Sequence, residues 1–200
     1  MVGDPWQLPP LIKSRVAKEG GADISLMERL SNQFPKNLKQ LKRQYRFNQS
    51  LTDLANHLRY EGKMEADESI KNSSILDVFN NWNLSKIKSD WVKRAIDPES
   101  SVIFINTEAG EKLEKNISSK GYVNETETKI ISQLVEHFSV MKIKKDCIGI
   151  IAPYRAQIEL LNEKMAKFEG VEINTVDKFQ GRENKIIILS FVRSRFHLEL

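Results

Sequence analysis

Four short strings place a cation, an amide or a bare glycine backbone at points where the chain turns sharply: Gln44-Tyr45-Arg46, Ala152-Pro-Tyr-Arg155, Thr175-Val-Asp-Lys-Phe-Gln-Gly-Arg-Glu183 and Ser190-Phe-Val-Arg-Ser194. These groups suit phosphate oxygens. A guanidinium offers a planar fork of donors, and glycine leaves backbone N–H groups open to close approach. A fifth string, Gly3-Asp-Pro-Trp-Gln-Leu-Pro-Pro10, reads as an ordered loop, because Gly3 and Pro5 fix a turn while Pro9 and Pro10 block a helix or central strand. Taken singly, each string has a plain reading as well. An arginine at a helix start is usually solvated, and Gln180-Gly181 or the proline-rich start would serve as simple turns.

Other chemistries have little to work with. One cysteine, Cys147, rules out an internal disulfide, and His57, His137 and His197 are too scattered for a recognisable zinc cluster, so no side-chain metal site is expected. Asp67-Glu68 follows no apolar strand and reads as a solvated surface pair. With 31 basic and 27 acidic residues among 200, the net charge of +4 is too small to prove a nucleic-acid partner. A hydrophobic content of 40% is that of an ordinary globular chain with a core. No run approaches a membrane span, and the start lacks a signal-peptide core, so the expectation is a soluble, intracellular protein without a membrane partner.

The elements that must position these strings are legible in part. Ser25 to Ser31 reads as a short helix with Glu28 at capping-box spacing, ended by Pro35. A basic connector follows, with Lys36, Lys39, Lys42, Arg43 and Arg46. Leu51, Leu54, Ala55 and Leu58 then mark a helix ending near Gly62, and residues 64–99 read as an irregular insertion. Beyond it come a strand over 101–106, a helix over 124–140 capped by Asn124 and Glu127, and a strand over 147–152. A helix striped by Tyr154, Ile158, Leu161, Met165 and Phe168 leads to strands over 171–176 and 185–192, the last apolar enough to be covered on both faces. Alternating buried strands and helices predict an α/β fold with a parallel sheet, whose ligands bind at the carboxyl ends of the strands.

Read in order, Gly3-Asp-Pro-Trp-Gln-Leu-Pro-Pro10, Gln44-Tyr-Arg46, Ile148-Gly-Ile-Ile-Ala-Pro-Tyr-Arg155, Asn174-Thr-Val-Asp-Lys-Phe-Gln-Gly-Arg-Glu183 and Ile187-Ile-Leu-Ser-Phe-Val-Arg-Ser194 closely resemble the serial motifs of superfamily 1 helicases. Ser25-Leu-Met-Glu-Arg-Leu30, Tyr60-Glu-Gly-Lys63 and Val171 to Arg182 are most similar to the helicase/nuclease branch that acts in DNA replication. The resemblance covers nearly the whole chain and is weakest over 64–99.

It implies a RecA-like, P-loop-NTPase-type fold, with residues 1–38 as the tail of a first motor domain and 39–200 as an incomplete second one. In this family two such domains hold ATP and Mg2+ and grip a single strand, moving along DNA in the 5′-to-3′ direction. By resemblance, Gln7 senses the γ-phosphate and attacking water, Asp4 couples the cleft to the strand, and Arg46 is the arginine finger. Tyr45 would pack by the adenine, and Glu183, beside Gly181, would reach the ribose and phosphate region. Pro153, Tyr154, Arg155, Thr175 and Ser190 would lie along the track of single-stranded DNA, contacting backbone rather than reading bases. Three features depart from the family pattern. Phe47 stands where methionine is common, and no G-x-x-x-x-G-K-[ST] string occurs among the nine glycines, nor a magnesium-binding Asp-Glu pair before Gly3. The expectation is therefore a half that depends on a missing first motor domain or a partner helicase chain, inactive as an ATPase alone, and nuclear if it follows the helicase/nuclease branch. A non-enzymatic RecA-like module that binds single-stranded nucleic acid, a piece of an RNA helicase of the nonsense-mediated-decay type, and a decayed gene product remain open at this point.

Overall fold

The computed structural model describes residues 1–80, 82–107 and 114–193, so Ser194 of the last motif and the segment 195–200 lie outside the described residues. Packing divides the chain into two compact units, Met1–Ser73 and Ser74–Leu200, a boundary well beyond residue 38, where the sequence places one.

The first unit is built from short, individually capped elements. Ser14 caps α1 (Arg15–Glu19), and Ser25 caps α2 (Leu26–Gln33) by accepting the Glu28 N–H at 3.1 Å. Pro35 follows the end of α2, as the sequence expects. β1 (Arg43–Gln44) pairs in parallel with β2 (Glu65–Ala66). The crossover between them is α3 (Gln49–Ala55), capped by Asn48, which runs into a π-turn over Asn56–Tyr60 and stops at Glu61 and Gly62, both left-handed.

The second unit opens with 3-10 turns at Ile75–Asp77 and Leu84–Lys86 and with α4 (Asp90–Ala95). Although irregular, this part of the expected insertion is not peripheral: Ile87, Val92 and Ile96 are buried core residues, and the Trp82 indole donates to the Ile96 carbonyl at 3.0 Å. A small antiparallel hairpin, β3 (Glu114–Asn116) and β4 (Tyr122–Asn124), leads into α5 (Glu125–Val140). Then come β5 (Ile148–Ala152), α6 (Arg155–Met165), β6 (Glu172–Thr175), α7 (Val176–Phe179) and β7 (Ile186–Leu189). The sheet order is β6-β5-β7, all parallel, with Ile148 and Ile150 of β5, Val135 of α5 and Leu161 of α6 fully buried. Central β5 is apolar throughout because it has a strand on each side and helices packed against it. Gly149 is required there, since a Cβ would come within 2.5 Å of the buried Phe179 ring. This is the parallel α/β arrangement expected of a RecA-like domain.

Two expectations need correction. Residues 101–106 form no strand, and Phe104 is 79% exposed, because an apolar run becomes a strand only where a neighbouring backbone pairs with it, and among the described residues none does. β7 is not covered on both faces: Ile187 and Leu189, two apart and so on one face, are exposed, and among the described residues β7 pairs on one side only.

Candidate functional site

In the first unit the Gly3–Pro10 loop is organised by one carboxylate. Asp4 accepts from the Trp6 N–H at 3.0 Å, from Gln7 Nε2 at 2.9 Å and from the Tyr60 hydroxyl at 2.7 Å. Trp6 packs edge-on against the same tyrosine, with centroids 5.9 Å apart. Burial works against the Asp4 charge, but the bonds from Tyr60, Gln7 and Trp6 outweigh it and hold the carboxyl below its ordinary value. Burial and the bond to Asp4 push Tyr60 the other way, above the ordinary tyrosine value. Gln7 is thus bonded through its amide nitrogen, and its carbonyl oxygen is the end with acceptor capacity for a water.

Tyr45 and Arg46 stand exposed on a loop that Gln44 builds from inside. The Gln44 Oε1 accepts the N–H of Arg46 at 2.8 Å and of Phe47 at 3.1 Å, while its Nε2 donates to the Phe47 carbonyl at 2.6 Å and to Thr52 Oγ1 at 2.9 Å. Thr52 is wholly buried and donates to the Asn48 carbonyl at 2.8 Å. An internal amide therefore fixes the backbone from which the arginine projects. Sequence reading uses Gln44 only as part of a string, although glutamine beside an exposed arginine at a helix start is the available signal.

In the second unit the expected strand ends do come together. Ala152 pairs with Thr175, Ile151 pairs with Leu189, and the Ser190 N–H donates to the Ile151 carbonyl at 2.9 Å, so the loops after β5, β6 and β7 leave the same edge of the sheet. Pro153 and Arg155 are exposed there, and Tyr154 is half-buried as the residue before α6. Thr175 is half-buried before α7. Gly181 has a φ of +81°, a left-handed value that glycine adopts readily, with open space where a Cβ would stand; Glu183, two residues on, is exposed. Asp4, Gln7, Tyr45 and Arg46 belong to the first unit and Gly181 and Glu183 to the second.

Ser190 differs from the expectation that it lines a nucleic-acid track. It is 2% exposed, and its hydroxyl donates to Glu127 Oε2 at 2.6 Å while accepting from Gln157 Nε2 at 3.1 Å. Both bonds belong to a buried polar cluster that sequence reading missed. The Gln157 Oε1 accepts the Asn124 N–H at 2.8 Å, and its Nε2 also donates to Thr128 Oγ1 at 3.1 Å. Asn124, Gln157 and Thr128 are all buried. Glu127 Oε2 accepts the Val192 N–H at 3.0 Å, and Asn124 Nδ2 donates to the Val192 carbonyl at 3.0 Å. Val192 itself has a φ of +70° and is fully buried, while the Arg193 N–H donates to the Phe191 carbonyl at 2.8 Å, closing a three-residue turn of the rare, strained kind. One signal for the cluster was in reach: Gln157 lies four residues before Leu161 on the buried stripe of α6, where a polar side chain needs partners.

The product of this turn is a stack. The Arg193 guanidinium lies 4.8 Å from the centre of the Tyr122 ring, and Tyr122 meets Tyr154 at 5.4 Å and 63°. Gly121 makes room, since a Cβ at its φ of +91° would come within 2.5 Å of the Tyr154 ring.

A family profile described as an AAA domain matches residues 22–199. The chain is 37% identical over 203 residues to the DNA replication ATP-dependent helicase/nuclease dna2 of Schizosaccharomyces pombe, covering 97% of this chain and 14% of that protein. It is 40% identical over 206 residues to the DNA replication ATP-dependent helicase/nuclease DNA2 of Homo sapiens, covering 97% of this chain and 19% of that one. It is also 36% identical over 196 residues to the uncharacterized ATP-dependent helicase MJ0104 of Methanocaldococcus jannaschii, covering 98% of this chain and 28% of that protein. The chain thus spans less than a third of each of these relatives. By the profile it belongs to the AAA-domain family, and by its serial motifs to the superfamily 1 helicases, among which it resembles the C-terminal helicase region of the helicase/nuclease type.

Proposed function

We propose that this chain is part of an ATP-dependent helicase that couples ATP hydrolysis to 5′-to-3′ movement on single-stranded DNA, with residues 1–38 as the tail of a first motor domain and 39–200 as most of the second. The observation that carries the reading is the common edge from which the loops after β5, β6 and β7 emerge, bearing Tyr154, Arg155, Thr175 and Arg193. Exposed cations beside half-buried rings at the carboxyl ends of the strands suit a backbone-directed, sequence-tolerant grip. ATP with Mg2+ is the cofactor, and the donor set fits it in part. Arg46 supplies a guanidinium for charge on the transferred phosphoryl group, and Gln7 supplies an acceptor for the attacking water. The cradle for the β-phosphate is the piece this sequence lacks, so the partner is a P-loop-bearing motor domain, and the place of action is the nucleus.

A second reading rests on the same strand ends: the chain acts as a RecA-like module that holds a strand without hydrolysis. Titrating the chain with a labelled oligothymidylate and with the matching RNA, at several salt concentrations and with an ATPase assay in parallel, tests both. The expected result is binding that weakens as salt rises, preference for DNA and no ATP turnover. Turnover lost in Arg46→Ala would overturn the claim of inactivity in isolation, and absence of binding at low salt would remove the strand from the reading.

A further inference from the structure

We propose that Arg193 is a phosphate contact for the bound strand, and that Asn124, Glu127 and Gln157 are positioning residues that set it by holding Val192 in its strained turn. The inference deepens the proposed function and rests on it. A valine has two branches at Cβ that crowd the left-handed region, so a φ of +70° persists only where the surroundings impose it. Here they do so from both sides of the residue. The Val192 N–H is held by Glu127 and its carbonyl by Asn124, and those two side chains are bonded to each other at 3.2 Å. Gln157 ties Asn124 to Ser190, so the start of α5, the start of α6 and the end of β7 close on one turn. The turn buries the Val192 side chain in the core while its neighbours Phe191 and Arg193 stay exposed. Its product is the orientation of the next residue.

Arg193 leaves the turn exposed and lies over Tyr122. The ring contact takes up one side of the guanidinium and restricts its motion, while donors directed away from the ring keep their capacity for an anion. Less rotamer entropy then remains to be lost when a phosphate binds. The neighbouring Tyr154 ring, in contact with Tyr122, places an aromatic surface beside that fork, which suits a nucleotide unit of a strand better than a lone phosphate.

The test uses this chain, a fluorescent oligothymidylate, and binding followed by anisotropy over a range of salt. Arg193→Ala is expected to bind about tenfold more weakly and to flatten the log–log salt slope by about 0.7, the loss of one phosphate contact on a single strand. Glu127→Ala is expected to weaken binding similarly and to add nothing in the Arg193→Ala background. A merely structural role for Glu127 would weaken binding further in that background. If Glu127→Ala fails to fold, Ser190→Ala, which removes one bond to the same carboxylate, takes its place. An unchanged slope in Arg193→Ala, or a Glu127→Ala loss that adds in full to it, would overturn the inference while leaving the strand-binding reading intact. Loss of binding to a fluorescent ATP analogue with unchanged oligonucleotide binding would assign the contact to a nucleotide and overturn it too. No binding by the unsubstituted chain would overturn both.

Discussion

The two units of this protein are held together by different physics. Every buried hydrophobic residue among the described residues lies at or beyond Ile87, in the second unit, whereas the one buried residue of the first unit is Thr52, a hydroxyl. The second unit owes its order to side chains removed from water around β5. The first is a set of hydrogen-bonded loops and capped turns, arranged about Asp4 and Gln44, whose apolar residues such as Leu26 and Leu11 stay largely exposed. Buried apolar area favours a cooperative fold, while exposed hydrogen bonds each contribute little against water. The motif loops of the first unit are therefore locally shaped but globally weak, and those of the second inherit the rigidity of a core.

The largest effect should expose this contrast directly. Leu161→Ala removes a fully buried side chain and is expected to lower unfolding stability by about 2–5 kcal/mol, whereas Leu26→Ala, at a residue 59% exposed, should change it by less than about 0.5 kcal/mol. Denaturant unfolding followed by circular dichroism reads both, and equal losses would break the comparison.

A smaller effect sharpens the account of the first unit. Gln44→Ala leaves two amides of the Arg46 loop without their acceptor and is expected to destabilise that loop locally by about 1 kcal/mol. Hydrogen exchange at the Arg46 and Phe47 amides should accelerate severalfold while that of β5 is unchanged. Slowing or accelerating both together would mean that the units share one cooperative transition.

The smallest effect is a pH window. The depressed Asp4 carboxyl favours the folded loop above the ordinary carboxylate range, and that contribution is lost as pH falls through its lowered value. The raised Tyr60 favours the loop below the ordinary tyrosine value, and its contribution is lost as pH climbs through the raised one. The Trp6 indole resonance should therefore stay constant across neutral pH and move only below the ordinary aspartate value and above the ordinary tyrosine value. A titration centred near neutrality would contradict the Asp4–Tyr60 bond.

What could be read from sequence follows the same division between local and distant causes. The helix from Glu125 to Val140 and the strand from Ile148 to Ala152 are written in periodicity and capping, which act over a few residues. Residues 101–106 have the composition of a strand, but pairing is decided elsewhere in the chain. The apolar β7 suggests cover on both faces, and only the exposure of Ile187 and Leu189 in the folded unit shows one face open. For the candidate site, the loop positions were legible because strands, turns and cations alternate along the chain. The role of Ser190 was not, since a serine at a strand end gives no sign that Glu127 and Gln157 will enclose it. Val192 was the least legible of all, because its turn runs against the local preference of a β-branched residue.

The turn at Val192 also has a place in time. Its bonds to Glu127 and Asn124 join residues 65 and 68 positions apart, and those from Gln157 bridge 33. Contacts of such long range form late, after the loop-closure entropy has been offset by docking of the intervening elements. On refolding, the arginine that leaves this turn would then be placed after the sheet and both helices have docked. The strand-facing surface would thus be complete only in molecules whose core is complete, which makes strand binding a late marker of correct folding.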